Sequence, residues 1–364
     1  MARQVCIISA SLLLISLAIT CTAQTQIPAN KGEINTWFQN VIKPMSQING
    51  KLDPSLMEAE NNGVEIIEVS QDGKGKFKTI SDAVKHVKIG NTKRVIIKIG
   101  PGEYREKVKV ERFKSFVTFY GIDSKNRPTI TFAGTAAEYG TVDSATLIVE
   151  SDYFVAKNII VSNSAPRPNG KKKGEQAVAL RISGDKAAFY DCKFTGFQDT
   201  LCDDKGKHFF KDCYIEGTVD FIFGAARSLY LNTELHVLSG DNEAMIVAHA
   251  RKNPSEEGGY SFVHCPVTGT GGHAALGRVW FEAARAIYSY CTISDVIKPE
   301  GWSDNNKPEA QKTIYFAEYM NTGPGASLAK RAPFTKKLTA VEAKTFISLE
   351  YIDAGKWLLP PPKL

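Results

Sequence analysis

The stretch HFFKDCYIEGTVDF (His208–Phe221) can be laid on AAFYDCKFTGFQDT (Ala187–Thr200), 21 residues earlier, and SLYLNTELHVLSG (Ser228–Gly240) continues the series. YFVAKNIIVSNS (Tyr153–Ser164), YSFVHCPVTGTG (Tyr260–Gly271) and IYSYCTISDVIK (Ile287–Lys298) match more loosely. The aligned positions are Asn158, Cys192, Cys213, Thr233, Cys265 and Cys291. Each unit is a pair of short β runs broken by Gly, Asn or Asp, without a helix between them. Recurrence at roughly 20 to 35 residues, written in strands, predicts one repeat per coil of a solenoid. The expected fold is all-β, a right-handed parallel β-helix (single-stranded solenoid). A β-sandwich, the alternative, leaves the recurrence as coincidence. RVIIKIG, SFVTFYG, TLIVES and GRVWFEA read as further strands. Helical spacing is confined to short terminal segments: TISDAVKHV (Thr79–Val87), and the stretch opened by the capping box Thr339–Glu342.

The chain has 364 residues, 43% hydrophobic and 23% charged, which excludes a disordered polymer or a multispan membrane protein. Residues 1–23 read differently. Arg3 precedes the apolar run VCIISASLLLISLAI (Val5–Ile19), and TCTA ends in a small residue, the pattern of a secretory signal peptide cleaved after Ala23. No later run approaches the roughly 18 apolar residues of a membrane span. The expectation is therefore a secreted, extracellular protein with no membrane partner. Residues 24–62 form an N-terminal extension, and 63–364 the β-helix domain.

Cys6 and Cys21 would leave with the leader, and five cysteines remain. The repeat sets Cys192 and Cys213 one coil apart, within disulfide reach. A Cys192–Cys213 bridge is expected, with a ladder of reduced thiols as the alternative. No CxxC or HExxH occurs, so no metal is expected. The only Asn-x-Ser/Thr, Asn253-Pro254-Ser255, is disqualified by its proline. The net charge of +6 favours acidic partners. Outside the cell that means acidic polysaccharide. Nothing resembles a nucleic-acid-binding signature. The densest basic run, Lys171–Lys173, reads as a solvated loop.

GTVDFIFG (Gly217–Gly224) places a carboxylate among apolar residues. Read as a strand, it turns Val219, Phe221 and Phe223 to the core and Thr218, Asp220 and Ile222 outward. Asp199 lies one repeat before Asp220. Carboxylates on adjacent coils, about 5 Å apart, repel by roughly 3 kcal/mol at an effective dielectric of 20. One should stay protonated while the other ionises, the split that two-carboxylate catalysis uses. Gln176 and Gln198 repeat at a similar interval and offer two amide donors to an oxyanion. Arg278 can orient a carboxylate, and Trp280, two residues on, can meet the apolar face of a sugar. Taken singly, each has a local reading: Asp199 and Gln198 as turn residues, Trp280 as core. Alternation also sets Gln198 and Asp199 on opposite faces, so the chain must turn there for both to serve one site.

GEQAVAL (Gly174–Leu180), GFQDTL (Gly196–Leu201), GTVDFIFG and LGRVW (Leu276–Trp280) resemble, in order and spacing, the four signature blocks of plant pectin methylesterases. PGEYREKV (Pro101–Val108), SATL (Ser144–Leu147), PEGWS (Pro299–Ser303) and NTGPGA (Asn321–Ala326) extend the similarity from about Gly63 to the C-terminus. The chain also resembles the pollen-type subgroup, some of whose members are allergens, and with fewer than 50 residues between the leader and the resemblance, the inhibitor-like pro-region of many relatives is expected to be absent. The resemblance implies a right-handed parallel β-helix in the cell wall that hydrolyses methyl esters of homogalacturonan (pectin) without a cofactor. Carried over by motif, Asp220 is the nucleophile and Asp199 the general acid and then base. Gln176 and Gln198 form the oxyanion hole, and Arg278 holds Asp220. Thr141, Gln176, Phe223, Arg278, Trp280 and Trp302 match substrate-binding positions. A proteinaceous pectinesterase inhibitor is a further candidate partner.

Three departures stand out. Val279 replaces the usual proline, an exchange expected to loosen the loop before Trp280. Phe197 stands where many relatives have tyrosine. Thr233 stands where many have a cysteine, so the bridge those relatives form with the coil of Cys213 is lost. The rival readings are a β-helix glycosidase or lyase, since retaining glycosidases also space carboxylates by about 5 Å, and a non-catalytic wall-binding protein. No GxSxG elbow supports a serine hydrolase.

Overall fold

A computed structural model describes residues 25–48, 52–238, 240, 243–270 and 273–364. The expected signal peptide, with Cys6 and Cys21, lies outside the described residues. Eight successive coils, from the strand Val95–Ile99 to the strand Trp302–Ser303, contribute one strand to each of three sheets, and three further strands extend the first sheet at its ends. The first sheet runs through eleven strands, from Glu65–Val69 to Lys336–Lys337. The second has eight, from Glu103–Arg105 to Thr292–Ile293, and the third eight, from Val108–Val110 to Trp302–Ser303. Neighbouring named strands pair in parallel throughout, as Lys207–Lys211 does with Arg227–Leu231. The all-β parallel β-helix expected from the repeat is the fold observed.

The 21-residue interval is a structural register: Lys193 pairs with Tyr214 and Leu201 with Ile222. Like residues therefore stack on like. Phe189, Phe210, Tyr230, Phe262 and Tyr288 form a continuous column in the interior, with successive ring centroids 4.7, 4.6, 4.6 and 4.6 Å apart. That spacing is the distance between neighbouring strands.

The turn from the first sheet to the second is made by one residue in the left-handed region: Asn158, Asp191, Asp212, Asn232, His264, Tyr290 and Met320, with φ between 50° and 56°. Asn and Asp tolerate that region better than other side chains with a Cβ. This corrects one alignment. Ile160 pairs with Lys193, so Ile159 stacks on Cys192, and Asn158 belongs with Asp191.

The cysteine ladder is real but unbridged. Cys192, Cys202, Cys213, Cys265 and Cys291 are all buried free thiols, so the expected Cys192–Cys213 bridge is not formed. In-register side chains on parallel strands leave side by side, holding their Cβ atoms near the 4.8 Å strand spacing rather than the ~3.8 Å a disulfide prefers. The thiols point to main-chain carbonyls instead: Cys192 Sγ to Tyr190 O at 3.3 Å and Cys213 Sγ to Phe189 O at 3.5 Å.

Helices cover what the coils leave open. α1 (Ile34–Val41) and α2 (Pro54–Asn61) lie on the outer face of the first sheet, where Phe38 stacks on Phe209 at 5.7 Å. α3 (Ile80–His86), capped by Thr79, buries Ile80, Ala83 and Val84 in the core near the first strands. α4 (Ala136–Tyr139) borders the candidate site. α5 (Ala340–Ala343) carries the capping box read from the sequence. No helix among the described residues is long and apolar enough to cross a membrane.

Candidate active site

GTVDFIFG is not one strand. The second-sheet strand Tyr214–Gly217 ends at its first glycine, residues 218–221 turn, and the third-sheet strand Ile222–Gly224 follows. Gly217 permits the turn: a Cβ there would lie 2.6 Å from Phe197 O and 2.2 Å from Phe221 Cβ. The faces read by alternation change accordingly. Phe221 and Ile222 enter the core, while Phe223 packs outside, against Ala145, Ile148, Val178 and Cys202.

Asp220 sits in this turn with φ 51°, and Asp199 occupies the matching turn one coil earlier with φ 68°. Asp199 N donates to Val219 O at 3.0 Å, locking the two turns together. The same turn resolves the conflict between Gln198 and Asp199, since strand alternation does not apply to either. Neither acid is a solvated surface residue: Asp220 is 5% and Asp199 8% exposed.

Their surroundings differ. Arg278 ends the third-sheet strand Ala274–Arg278 and holds Asp220 by both oxygens: its Nε donates to Oδ1 at 2.7 Å and its Nη2 to Oδ2. The Asp199 carboxyl makes no hydrogen bond to another described residue. Burial, and then the charge of Asp220, push its pKa well above the ordinary carboxylate range, opposed in part by Arg278. One acid is thus ion-paired, while burial and that acid's charge favour the protonated form of its neighbour.

Gln176 and Gln198 flank the acids on adjacent coils, joined by Ala177 N to Gln198 O at 3.2 Å. Both line a groove of about 870 Å³ with Thr218 and Val219. Lys171–Lys173 form part of its rim, so the run read as a plain solvated loop borders the site. Arg167, which no motif singled out, joins that rim with its guanidinium 5.6 Å from the Phe197 ring centre.

Trp280 is 45% exposed, and the Arg278 guanidinium lies 4.8 Å from its ring centre. It lies beyond the end of the strand, because GRVWFEA leaves the sheet at Arg278. Lys307, also unflagged by any motif, holds this loop by donating to Trp280 O at 2.6 Å. Val279 does not loosen it. The residue is fully buried, and its N donates to Ser303 O at 3.0 Å, a bond that proline cannot make. Thr141 lies between α4 and the short helical turn Val142–Ser144, on the segment tied to Gln176 by Ala136 N to Gln176 O at 2.8 Å. Trp302 is not in the groove. It is 2% exposed, stacks on Phe316 at 4.5 Å and donates to Glu318 Oε1 at 3.1 Å.

The family model described as Pectinesterase matches residues 66–355. The chain belongs to the pectinesterase family. Pectinesterase 2 of Olea europaea is 57% identical over 335 residues, covering 92% of this chain and 91% of that protein. Among solved structures, the pectin methylesterase from carrot is 32% identical with a TM-score of 0.75, covering 81% of this chain and 97% of its own. A pectin methylesterase in complex with a hexasaccharide is 26% identical with a TM-score of 0.69, covering 81% and 98%. In this pectinesterase the four signature blocks converge on one face: GEQAVAL and GFQDTL supply the glutamines and Asp199, GTVDFIFG supplies Asp220, and LGRVW supplies Arg278.

Proposed function

We propose that this pectinesterase, a carboxylic ester hydrolase of pectin methyl esters, works through an acyl-enzyme on Asp220. The observation that carries the proposal is the unequal pair. Asp220 is gripped by Arg278, and Asp199, one coil away, is kept protonated by burial and by its neighbour's charge.

The Asp220 carboxylate attacks the ester carbonyl carbon of a methyl galacturonate unit. The carbonyl oxygen becomes an oxyanion, which the Gln176 and Gln198 amides stabilise by donating N–H groups. Collapse breaks the bond to the methoxy oxygen, and Asp199 gives that oxygen its proton, so methanol leaves. Asp199, now a carboxylate, takes a proton from water. The hydroxide so formed attacks the galacturonyl carbonyl carbon, the bond from that carbon to the Asp220 oxygen breaks, and galacturonic acid leaves and gives its proton to solvent, so Asp220 returns as a carboxylate and Asp199 as the protonated acid. Trp280, Phe223 and Thr141 border the path of the polysaccharide, and the basic rim Lys171–Lys173 suits an acidic chain. Trp302 has only a packing role.

The same reading takes residues 1–23 as a leader directing the protein to the cell wall, and residues 63–364 as the catalytic domain. It also places the chain in the pollen-type subgroup, on its motif text. A proteinaceous inhibitor would compete for the same groove.

The test is to incubate the purified protein with highly methylated pectin and follow methanol and chain length. Methanol without chain shortening is expected, abolished in Asp220→Ala. Depolymerisation, or full activity in that variant, would overturn the mechanism.

A further inference from the structure

Away from the esterase groove, and sharing no lining residue with it, a cleft of about 280 Å³ opens over the first sheet. Arg227 and Arg285 each begin a strand of that sheet. Between their coils stands Gly259, the register partner of Arg227. A Cβ on Gly259 would lie 2.5 Å from both Arg285 Cδ and the Tyr351 hydroxyl. The missing side chain therefore lets Tyr351 reach in between the two arginines. Tyr351 is 3% exposed, and its hydroxyl meets the Arg285 guanidinium without a well-formed hydrogen bond. Burial pushes its pKa up to about 12 against the pull of both guanidinium charges.

The two arginines are underused in the same way. The Nε of Arg227 and the Nε of Arg285 are buried with no hydrogen-bond partner among the described residues. Two acids act on Arg227: Glu257, whose Oε2 accepts from Arg227 Nη1 at 3.0 Å from a side chain that is 76% exposed, and Asp353, which is already paired with Lys207 at 2.7 Å. Lys336, 5.5 Å from the centre of the Tyr315 ring, adds positive charge beside the cleft, offset in part by Glu342, which also acts on Tyr315. Desolvated donors around a positively charged cleft are satisfied by an anion. Two guanidinium groups with a hydroxyl between them match a planar carboxylate better than a lone cation would. The cleft is also lined by the rings of Tyr315 and Phe346, surfaces suited to the apolar face of a sugar.

We propose that Arg227, Arg285 and Tyr351 form a second binding site, which takes the carboxylate of a uronic acid unit while Tyr315 and Phe346 meet its ring. Choosing galacturonate among the uronic acids rests on the esterase reading, because the galacturonate carboxylate is what that reaction leaves behind. The site would hold de-esterified chain on a face of the coil separate from the reacting unit.

Titration calorimetry of the intact protein with trigalacturonate tests this, with sulfate in a parallel titration. Two sites per chain are expected. Arg227→Gln and, separately, Tyr351→Phe should weaken one of them roughly ten- to hundredfold while leaving methanol release from methylated pectin unchanged. A single site in the wild type, or two sites unaltered in both variants, overturns the proposal. Sulfate binding that Arg227→Gln abolishes, with no trigalacturonate at the same site, also overturns it by making this a general anion site. If the wild type releases no methanol yet loses one trigalacturonate site in Arg227→Gln, the esterase reading fails and this one stands.

Discussion

Arg278 holds Asp220 through both carboxylate oxygens, from the end of a strand 58 positions further along the chain. The fork fixes the direction of the Asp220 oxygens as well as their charge. Lysine at 278 would supply charge from a single point and leave the carboxylate free to rotate. Arg278→Lys is therefore expected to lower kcat about 10- to 100-fold, or ~1.4–2.8 kcal/mol of transition-state stabilisation. KM should change little. Steady-state kinetics on methylated pectin decides it, and an unchanged kcat would show that Arg278 only packs.

Asp199 carries the pH dependence of the proposed acylation step. Its pKa is raised, first by burial and then by Asp220, so it is the acid at low pH. Activity that needs its proton should fall as pH rises through the raised value. Stability follows the same sign. A carboxyl with a raised folded pKa favours the fold below the unfolded value near 3.8, and that contribution is lost as pH rises through the folded value. Asp199→Asn removes both effects. It should cost about 10²–10⁴-fold in kcat while leaving the neutral-pH Tm equal to or above the wild type. A large fall in Tm with activity retained would reverse the assignment.

What the sequence made legible, and what it hid, follow from one geometric rule. Register was legible because the 21-residue step recurs in residue type: Asp199 and Asp220 occupy equivalent turns, and Leu201 pairs with Ile222. Direction was not. Alternation holds only where a strand is continuous, and Gly217 ends one, so Phe223 and Ile222 were assigned to each other's faces. The direction of the Trp280 side chain was hidden for the same reason, since the strand stops at Arg278. Trp302 failed because a motif position does not say whether its ring lies inside or outside the coil. The Asn158 alignment slipped by one because the left-handed corner residue and the buried residue after it are neighbours, and polar text marks only the corner. The Arg227–Gly259–Arg285 cleft had no sequence signal, because it depends on Tyr351 arriving from the C-terminal segment.

Lys171–Lys173 border the groove beside Gln176 and Gln198. If an acidic chain lies along that rim, neutralising the lysines removes attraction without touching the reacting groups. Changing all three to Gln should raise KM on partly de-esterified pectin several-fold at low ionic strength and leave kcat near wild type. The difference should shrink as salt rises towards 0.15 M, where the Debye length falls to about 8 Å. A KM independent of both the lysines and the salt would mean that the loop is only solvated.

The free cysteine ladder gives a direct chemical readout. Five buried thiols are present in the described residues. Unfolding the protein in denaturant with an alkylating reagent and no reductant should label Cys192, Cys202, Cys213, Cys265 and Cys291. In the folded state the same reagent should label none, because buried thiols are inert. A mass lacking two labels would restore a bridge.

His208 is the last titrating device, and it lies in the core. The side chain is fully buried, with Nδ1 against Asp203 Oδ1 and Nε2 2.8 Å from Gly184 O. Both ring nitrogens face oxygen atoms, an arrangement that favours the doubly protonated ring. Tyr230 donates to the other Asp203 oxygen at 2.6 Å, completing the cluster. Burial pushes the His208 pKa down, but the Asp203 charge and the two hydrogen bonds outweigh it, and the folded value lies above 6.5. A raised histidine pKa contributes stability that is full below the unfolded value and lost as pH rises through the folded one. Tm should therefore fall as pH is raised above about 6.5, beyond what Asp199 alone produces. His208→Ala should lose that slope and cost about 3–5 kcal/mol, because it leaves Asp203 buried without its cation. Thermal melts of Asp199→Asn with and without His208→Ala, from acid to alkaline pH, separate the two groups. Parallel curves in the pair would exclude a charged His208.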